Sequence, residues 1–139
     1  SIIHGTTVAT NAILERKGAR LGLISTAGFR DVLEFQRQDR GNIWNLFTRK
    51  VVPLAPRHLR YEVYERILAD GSVHRPLDPE SVRVAAQAMM AEGVEAVAVC
   101  LLNSYANPSH EARVEAMLAE KMSELTGGLP MPPGLQLPF

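Results

Sequence analysis

The sequence of residues 1–12 predicts a strand-to-helix junction, and this feature constrains the fold more than any other part of the sequence. The apolar residues 2–3 are typical of the end of a strand, and Gly5 in the turn that follows can take a backbone angle closed to other residues. Thr6 or Thr7 can then cap the free N–H groups at the start of a helix. Because open α/β sheets bind ligands where strands end and helices begin, the pattern predicts an α/β fold with a site at this turn.

Two further segments predict a mostly parallel sheet. Leu21–Ser25 is typical of a short buried strand, and Val94–Leu102 is nearly continuously apolar, as in a parallel strand covered on both faces. We expect both strands in one sheet, with helices at Val8–Lys17 and Pro79–Glu92 packed on its faces. Cys100, inside the second strand, is expected to be buried as a small apolar side chain.

An antiparallel ribbon is predicted between residues 60 and 75, as an insertion into this fold. Arg60–Leu68 alternates between polar and apolar residues, which places Arg60 on the polar face. Asp70-Gly71 is typical of a two-residue hairpin turn before Val73–Arg75. The predicted fold class is therefore α/β, with a mostly parallel sheet, flanking helices and an inserted β-ribbon.

Composition limits the chain to one domain and argues against two classes of partner. Its 139 residues, 46% hydrophobic and 22% charged, are ordinary for a globular protein, so we expect one domain at 1–126. The 15 basic residues equal the 15 acidic ones, which leaves no basic field to attract nucleic acid or a membrane surface. A single cysteine and the lack of a leader indicate the cytoplasm. Residues 127–139 hold four prolines and three glycines and are expected to be a disordered tail.

The first junction carries four polar candidates for ligand binding. The imidazole of His4 can donate to a substrate carbonyl or accept a proton near neutral pH, although it can equally bond its own turn. Thr6, Thr7 and Asn11 can hold a carboxylate or an amide, and Thr7 and Asn11 lie one helical turn apart. The alternative for the threonines is local capping.

A second strand-to-helix junction follows residues 21–25 and carries charged candidates. Arg30 and Arg37 each present a planar fork suited to a carboxylate or phosphoryl group, while a solvated helix face with Arg30–Glu34 pairing is the alternative. Asp31 is a candidate acid or a partner for an arginine or for His4. Because both junctions follow strands, we expect them to face one cleft.

The sequence contains no complete metal or nucleotide motif. Its other histidines, His58, His74 and His110, are scattered, and no cysteine or histidine stands at ligand spacing. A structural role in the first turn of the last helix is sufficient to explain His110-Glu111. Neither GxGxxG nor GxxxxGK[ST] occurs, so neither a Rossmann nor a P-loop site is predicted.

Three blocks resemble the hydantoinase/5-oxoprolinase family, in the order in which that family carries them. They are His-Gly-Thr-Thr-Val-Ala-Thr-Asn-Ala at 4–12, Gly-Phe-Arg-Asp-Val-Leu-Glu at 28–34, and the apolar run 94–102 with Ser-Tyr-Ala-Asn-Pro at 104–108 and His-Glu at 110–111. The resemblance covers the first 120 residues or so and implies part of an actin-like (ribonuclease H-like) ATPase domain. It implies ATP-dependent opening of a cyclic amide such as a hydantoin or 5-oxoproline, with Mg²⁺ as the companion ion. Related members are subunits of ATP-dependent ketone carboxylases.

The resemblance also implies which residues and partners matter. Substrate-binding roles fall on a set from both junctions: His4, Gly5, Thr6, Thr7, Asn11, Arg30, Asp31 and Arg37. The acidic, glycine-rich segment Asp-x-Gly-Gly-Thr-Phe-Thr-Asp of the family does not occur here, so we expect a domain truncated at its start that neither binds ATP tightly nor turns over alone. Expected partners are the remainder of its polypeptide, a second hydantoinase subunit and the cyclic amide, with self-association through an exposed sheet edge. The alternative is a non-catalytic assembly or interaction module of a larger complex such as a ketone carboxylase.

Overall fold

The computed structural model describes residues 18–35 and 52–125, together with the single positions 11, 15, 44 and 47. The described elements, in chain order, are β1 (Leu21–Thr26), α1 (Val32–Phe35), a 3₁₀ turn (Arg57–Leu59), β2 (Arg60–Val63), β3 (Arg66–Ile67), β4 (Val73–Arg75), α2 (Pro79–Ala91), β5 (Ala96–Cys100) and α3 (Ser109–Leu125). The predicted helix at 8–17 and the tail at 127–139 therefore lie outside the described residues, apart from Asn11 and Glu15.

The central sheet has three parallel strands in the order β2, β1, β5. Leu23 lies opposite Arg60 at the β1–β2 pairing, and Leu21 lies opposite Ala96 at the β1–β5 pairing. The prediction that the first and last apolar segments share a mostly parallel sheet is confirmed. Because β1 is central and its neighbours follow it on opposite sides, the carboxyl end of β1 is where the strand order reverses, the usual place for a ligand crevice.

The predicted ribbon is correct in its second half and wrong in its first. β3 and β4 form the expected antiparallel hairpin, but Arg60–Val63 is a parallel strand of the central sheet. Arg60 was expected on a polar face and is instead 1% exposed. Alternation over four residues does not distinguish a hairpin strand from a parallel strand, because both bury alternate side chains.

The hairpin turn is fixed by its own residues. Asp70 accepts hydrogen bonds from the backbone N–H of Ser72 at 2.9 Å and from its hydroxyl at 2.6 Å. Both bonds lower the pKa of Asp70 from its ordinary value, and the bond from the hydroxyl has the larger effect. Gly71 has a φ of +81°, and a Cβ there would lie 3.2 Å from the carbonyl oxygen of Ala106, so the turn needs glycine for both angle and space.

The two long helices lie side by side on one face of the sheet, where α2 packs on β2 and α3 packs on β5. Asp78 caps α2 by accepting from the N–H of Glu80 at 3.1 Å, and Gly93 follows its end with a φ of +66°. One apolar cluster joins sheet and helices: Ile24, Val63, Leu77, Val82, Met89, Leu101 and Val114. No helix within the described ranges is both long enough and apolar enough to cross a membrane.

β5 is less covered than its sequence predicts. Ala96–Val99 are only half-buried, and Cys100 is exposed where burial was expected. Among the described strands β5 pairs with β1 alone, so it forms one edge of the sheet. An apolar run does not distinguish a central strand from an edge strand, because an edge strand that packs one face on helices can be just as apolar.

Candidate functional site

Charged side chains gather beside the turn that follows β1, in a group we term the arginine cluster: Asp31, Glu34, Arg57 and Arg60. Asp31 and Glu34 come from the turn and from α1, whereas Arg57 comes from the 3₁₀ turn and Arg60 begins β2. Parallel pairing of β1 with β2 brings these segments together across 26 residues of sequence. The cluster therefore depends on the sheet and not on local sequence.

Asp31 and Arg57 form a two-point ion pair. Nε of Arg57 donates to Oδ1 of Asp31 at 2.8 Å, and Nη2 donates to Oδ2 at 2.9 Å. The hydrogen bond from Arg57 is the largest cause that holds the pKa of Asp31 below its ordinary value, and the same bond raises the pKa of Arg57. The side chain of Arg57 is 58% exposed and that of Asp31 is 36% exposed, so the pair remains in contact with water.

Arg60 occupies the opposite environment, with a side chain that is 0% exposed. Nε donates to the carbonyl oxygen of Ala55 at 2.8 Å, and Nη2 donates to Oε1 of Glu34 at 2.8 Å. Nη1 is buried without a hydrogen-bond partner in the described part of the chain, and it lies 4.0 Å from Oδ1 of Asp31. A buried, charged donor without an acceptor is unfavourable, which distinguishes this arginine from its neighbours.

A cleft of about 520 Å³ adjoins the arginine cluster. Arg30, Arg57 and Arg60 contribute to its lining, together with Tyr61 and residues at the start of α2. Burial raises the pKa of Tyr61, so its phenol stays protonated and can donate. The lining thus offers guanidinium and phenol donors, a set suited to a carbonyl, carboxylate or phosphoryl oxygen.

A second polar group, which we term the strand-end cluster, consists of Thr26, Glu65 and His110. The hydroxyl of Thr26 donates to Oε1 of Glu65 and accepts from the N–H of Leu102 at 2.9 Å. The other oxygen of Glu65 lies 2.7 Å from Nδ1 of His110. All three residues are more than nine-tenths buried. The cluster ties the carboxyl end of β1 to the segment after β2 and to the first turn of α3.

Sequence reasoning missed the strand-end cluster. It placed Glu65 within a ribbon and gave His110 only a place in the first turn of the last helix, although its neighbour Glu111 also reaches the sheet by accepting from the N–H of Leu101 at 2.8 Å. The one available signal was His110-Glu111 directly after the Asn-Pro that precedes the last helix. The pairing partner 45 residues away is set by strand order, which no local pattern encodes.

The structure describes only some of the predicted site residues. Five of them lie outside the described residues: His4, Gly5, Thr6, Thr7 and Arg37. Asn11 is described and exposed, but the residues next to it in the chain are not described.

Of the rest, Arg30 lies in the cleft lining and Asp31 pairs with an arginine, as one interpretation had it; that arginine is Arg57, which the sequence analysis did not single out. Glu34, expected as a partner of Arg30, binds Arg60. Convergence of the two junctions on one cleft stays a prediction.

The described residues provide no site for a divalent cation. Within the described ranges, no three His, Cys, Asp or Glu side chains are placed to hold a metal ion together. The acidic side chains of the arginine cluster are engaged by guanidinium groups instead. The Mg²⁺ implied by the family resemblance therefore has no ligand set among these residues.

Comparison with known proteins gives consistent matches over most of the chain. The family described as "Hydantoinase/oxoprolinase N-terminal region" matches residues 1–122. The acetophenone carboxylase gamma subunit of Aromatoleum aromaticum is 40% identical over 133 residues, which cover 88% of this chain and 18% of that protein. The caprolactamase alpha subunit of Pseudomonas jessenii is 37% identical, again over 88% of this chain and 18% of the relative.

Solved structures agree with these matches. The crystal structure of the ATP-dependent caprolactamase from Pseudomonas jessenii superposes with a TM-score of 0.75 at 38% identity and covers 86% of this chain. A nucleotide-free structure of acetone carboxylase gives a TM-score of 0.73 at 32% identity over 84% of the chain. The chain spans 18% of each of these two structures, less than a fifth of their length.

Proposed function

The chain belongs to the hydantoinase/oxoprolinase N-terminal family, and we propose that it is the segment of an ATP-dependent cyclic amide hydrolase that contributes substrate-binding residues. The observation that carries this proposal is the likeness to the ATP-dependent caprolactamase in both fold and sequence. Caprolactam is a cyclic amide, as are hydantoin and 5-oxoproline. In the proposal, the segment binds the ring of the cyclic amide and has no catalytic activity on its own.

The proposed substrate-binding set is that of the two junctions: His4, Gly5, Thr6, Thr7, Asn11, Arg30, Asp31 and Arg37. Support from the geometry is strongest for Arg30, which lines the cleft beside Tyr61. A cyclic amide presents a carbonyl oxygen as acceptor and an N–H as donor, so guanidinium and phenol donors can orient the carbonyl. Asp31 has a supporting role, because its carboxylate fixes the guanidinium of Arg57 at the cleft wall.

ATP enters the proposal through the relatives that need it. The amide bond of a lactam is unreactive, and transfer of a phosphoryl group from ATP to the amide oxygen makes the amide carbon a far better electrophile for water, whose attack leads to cleavage of the C–N bond. The acidic, glycine-rich segment of the family does not occur in this sequence, so in the proposal the nucleotide is bound mainly by other parts of the longer protein. The role of this chain is accordingly confined to binding and orienting the amide. We place it in the cytoplasm, where ATP is available.

The first test uses the 139-residue chain alone. We expect no steady-state ATP hydrolysis above a mock preparation, with or without hydantoin, 5-oxoproline or caprolactam, because a nucleotide site is missing from the residues described. Turnover that copurifies with the chain and is absent from the mock preparation contradicts this expectation.

The second test uses the longer protein that contains this segment. We expect Asn11→Ala and Arg30→Gln each to raise KM for the cyclic amide by about tenfold, the loss of one hydrogen bond to a bound group, with an unchanged melting temperature. The matched control is Arg113→Gln, which removes an exposed guanidinium on α3 that does not line the cleft. Wild-type KM and kcat in both variants would sink the substrate-binding role.

The alternative is a non-catalytic assembly module of a complex such as a ketone carboxylase. It is favoured by the likeness to the gamma subunit of acetophenone carboxylase and by the half-covered edge strand β5, which can pair with another chain. Its candidate partners are the remainder of the polypeptide, a second subunit or another copy of this chain. Light scattering at increasing concentration distinguishes the last of these, because a constant monomer mass excludes self-association.

A further inference from the structure

The arginine cluster contains two guanidinium groups that compete for one carboxylate. Asp31 gives both of its oxygens to Arg57, at 2.8 and 2.9 Å, while Nη1 of Arg60 lies 4.0 Å from Oδ1 of the same carboxylate. Among the described residues Nη1 has no other acceptor, and the side chain that carries it is fully buried. The exposed arginine is thus satisfied and the buried one is not.

This arrangement is the reverse of what solvation alone favours. Water can satisfy an exposed guanidinium such as Arg57, whereas a buried N–H must find its acceptor within the protein. A shift of Asp31 by roughly 1 Å would bring Oδ1 from 4.0 Å to hydrogen-bond distance of Nη1. The cost of that shift is the two-point bond to Arg57, unless another anion takes it over.

A carboxylate in the fork of an arginine has the shape and charge of an external oxyanion. Asp31 occupies the position on Arg57 that a ligand carboxylate or phosphoryl group would take. The cleft supplies access, since Arg57 lines it and Arg30 contributes a second guanidinium to the same wall. Three acidic residues also line the cleft: Glu62 accepts from the N–H of Gly28 at 2.7 Å, Asp78 caps α2, and Glu80 pairs with Arg83 at 3.3 Å.

We propose that Arg57 is an oxyanion-binding residue, and that a carboxylate or phosphoryl ligand entering the cleft displaces Asp31 onto Nη1 of Arg60. Ligand binding at the exposed arginine and satisfaction of the buried arginine are then one event. The site stands on the geometry of the described residues and does not depend on the proposed amide hydrolysis. The turnover tests above and the binding test below can therefore fail independently.

The test is a titration of the full 139-residue chain with sodium phosphate and, separately, with sodium acetate at constant ionic strength. The Nε–Hε signals of Arg57 and Arg60 are followed by ¹H–¹⁵N NMR. We expect saturable shifts of both signals with one apparent Kd, because the ligand reaches Arg57 and Asp31 reaches Arg60. The probe that binds more tightly identifies the natural group as phosphoryl or as carboxylate.

Three variants make the titration specific. Arg57→Gln removes the fork and is expected to weaken binding by about 10- to 100-fold, the range for losing a charged hydrogen-bonded contact. Arg57→Lys keeps the charge without the fork and is also expected to bind weakly; it replaces the glutamine variant if that one does not fold. Arg113→Gln, at an exposed position on α3 outside the cleft lining, is the control and retains native affinity.

Asp31→Asn separates the displacement from the binding. Without the carboxylate, Arg57 still responds to the ligand, but the Arg60 signal no longer moves with it. Unchanged Arg60 shifts in Asp31→Asn overturn the displacement. The absence of saturable binding for both probes, or equal binding by Arg57→Gln and the native chain, overturns the site.

Discussion

The strand-end cluster and the arginine cluster both place a carboxylate among donors beyond the end of β1, yet they differ in how completely those groups are satisfied. Glu65 uses both oxygens on buried partners, Thr26 and His110, which come from other elements. Asp31 uses both of its oxygens on an exposed arginine and leaves the buried Arg60 with an unpaired N–H. Both oxygens of Glu65 are thus paired inside the protein, whereas the arginine cluster still has an unpaired N–H that a change of partners can satisfy.

Burial accounts for this difference. In the strand-end cluster every contact lies in a low-dielectric interior, where losing a partner is costly and exchange with solvent is slow. In the arginine cluster the pair that would have to open is already in contact with water, so opening it replaces protein contacts by hydration. We infer that the first cluster serves to hold the sheet and helices together, whereas the second is suited to exchange partners.

The largest effect is expected at Glu65. Glu65→Leu keeps most of the volume but leaves the hydroxyl of Thr26 and the ring N–H of His110 without their acceptor, so the free energy of unfolding should fall by about 2–5 kcal/mol. Urea denaturation followed by circular dichroism measures it. Glu115→Leu, an exposed position on α3, is the matched control and should stay within about 0.5 kcal/mol of the native chain. Equal losses in both variants would remove the distinction between buried and exposed carboxylates.

A smaller loss is expected at Arg60. Arg60→Met removes the hydrogen bonds to Glu34 and Ala55 but also removes the unpaired buried N–H, and the side chain of Glu34 remains 30% exposed to water. The free energy of unfolding should fall by about 1–3 kcal/mol, less than for Glu65→Leu in the same assay. If Arg60→Met costs more than Glu65→Leu, the arginine cluster is as firmly built as the strand-end cluster, and the comparison is wrong.

The smallest effect concerns ionisation and not global stability. Arg57→Gln removes the largest cause of the lowered pKa of Asp31, so that pKa should rise toward its ordinary value. In the native chain the folded-state pKa lies below the unfolded one. The pair's contribution to stability is therefore present above about pH 3.8 and is lost as the pH falls through the folded pKa.

A pH titration of the carboxyl ¹³C signals measures this change. Asp70 is the internal control, because its pKa is lowered by Ser72 and should be the same in Arg57→Gln as in the native chain. A pKa for Asp31 that does not move would show that the exposed ion pair is not formed in solution.

The parts of the fold that local patterns determine were predictable. Asp78 and Gly93 mark the two ends of α2, because the aspartate accepts a hydrogen bond from the first turn and the glycine takes a positive φ after the last. Asp70-Gly71 forms its turn because Gly71 also takes a positive φ. The parallel sheet was predictable because β1 has the pattern of a short buried strand and β5 lies in a nearly continuous apolar run. Arg30 lines the cleft and Asp31 pairs with an arginine, whereas their predicted role in substrate binding stays a prediction.

What could not be predicted depends on pairings across the sheet. Arg60 looks like a surface residue in an alternating segment, and only its place opposite Leu23 in the parallel sheet buries it. Glu65 follows β2 and His110 lies in the first turn of α3, so their contact across 45 residues depends on how the sheet and helices are arranged, which no local pattern encodes. The exposure of Cys100 follows likewise from its place on an edge strand.

The central position of β1 has a consequence for the order of events during synthesis. Of the described strands β1 leaves the ribosome first, but the backbone N–H of Arg20 beside it waits for Glu95, which is 75 residues later in the chain. At about 5–20 residues per second, that interval lasts about 4–15 s. For those seconds an apolar strand has an unpaired edge, so β1 is a segment to which a chaperone is expected to bind during synthesis.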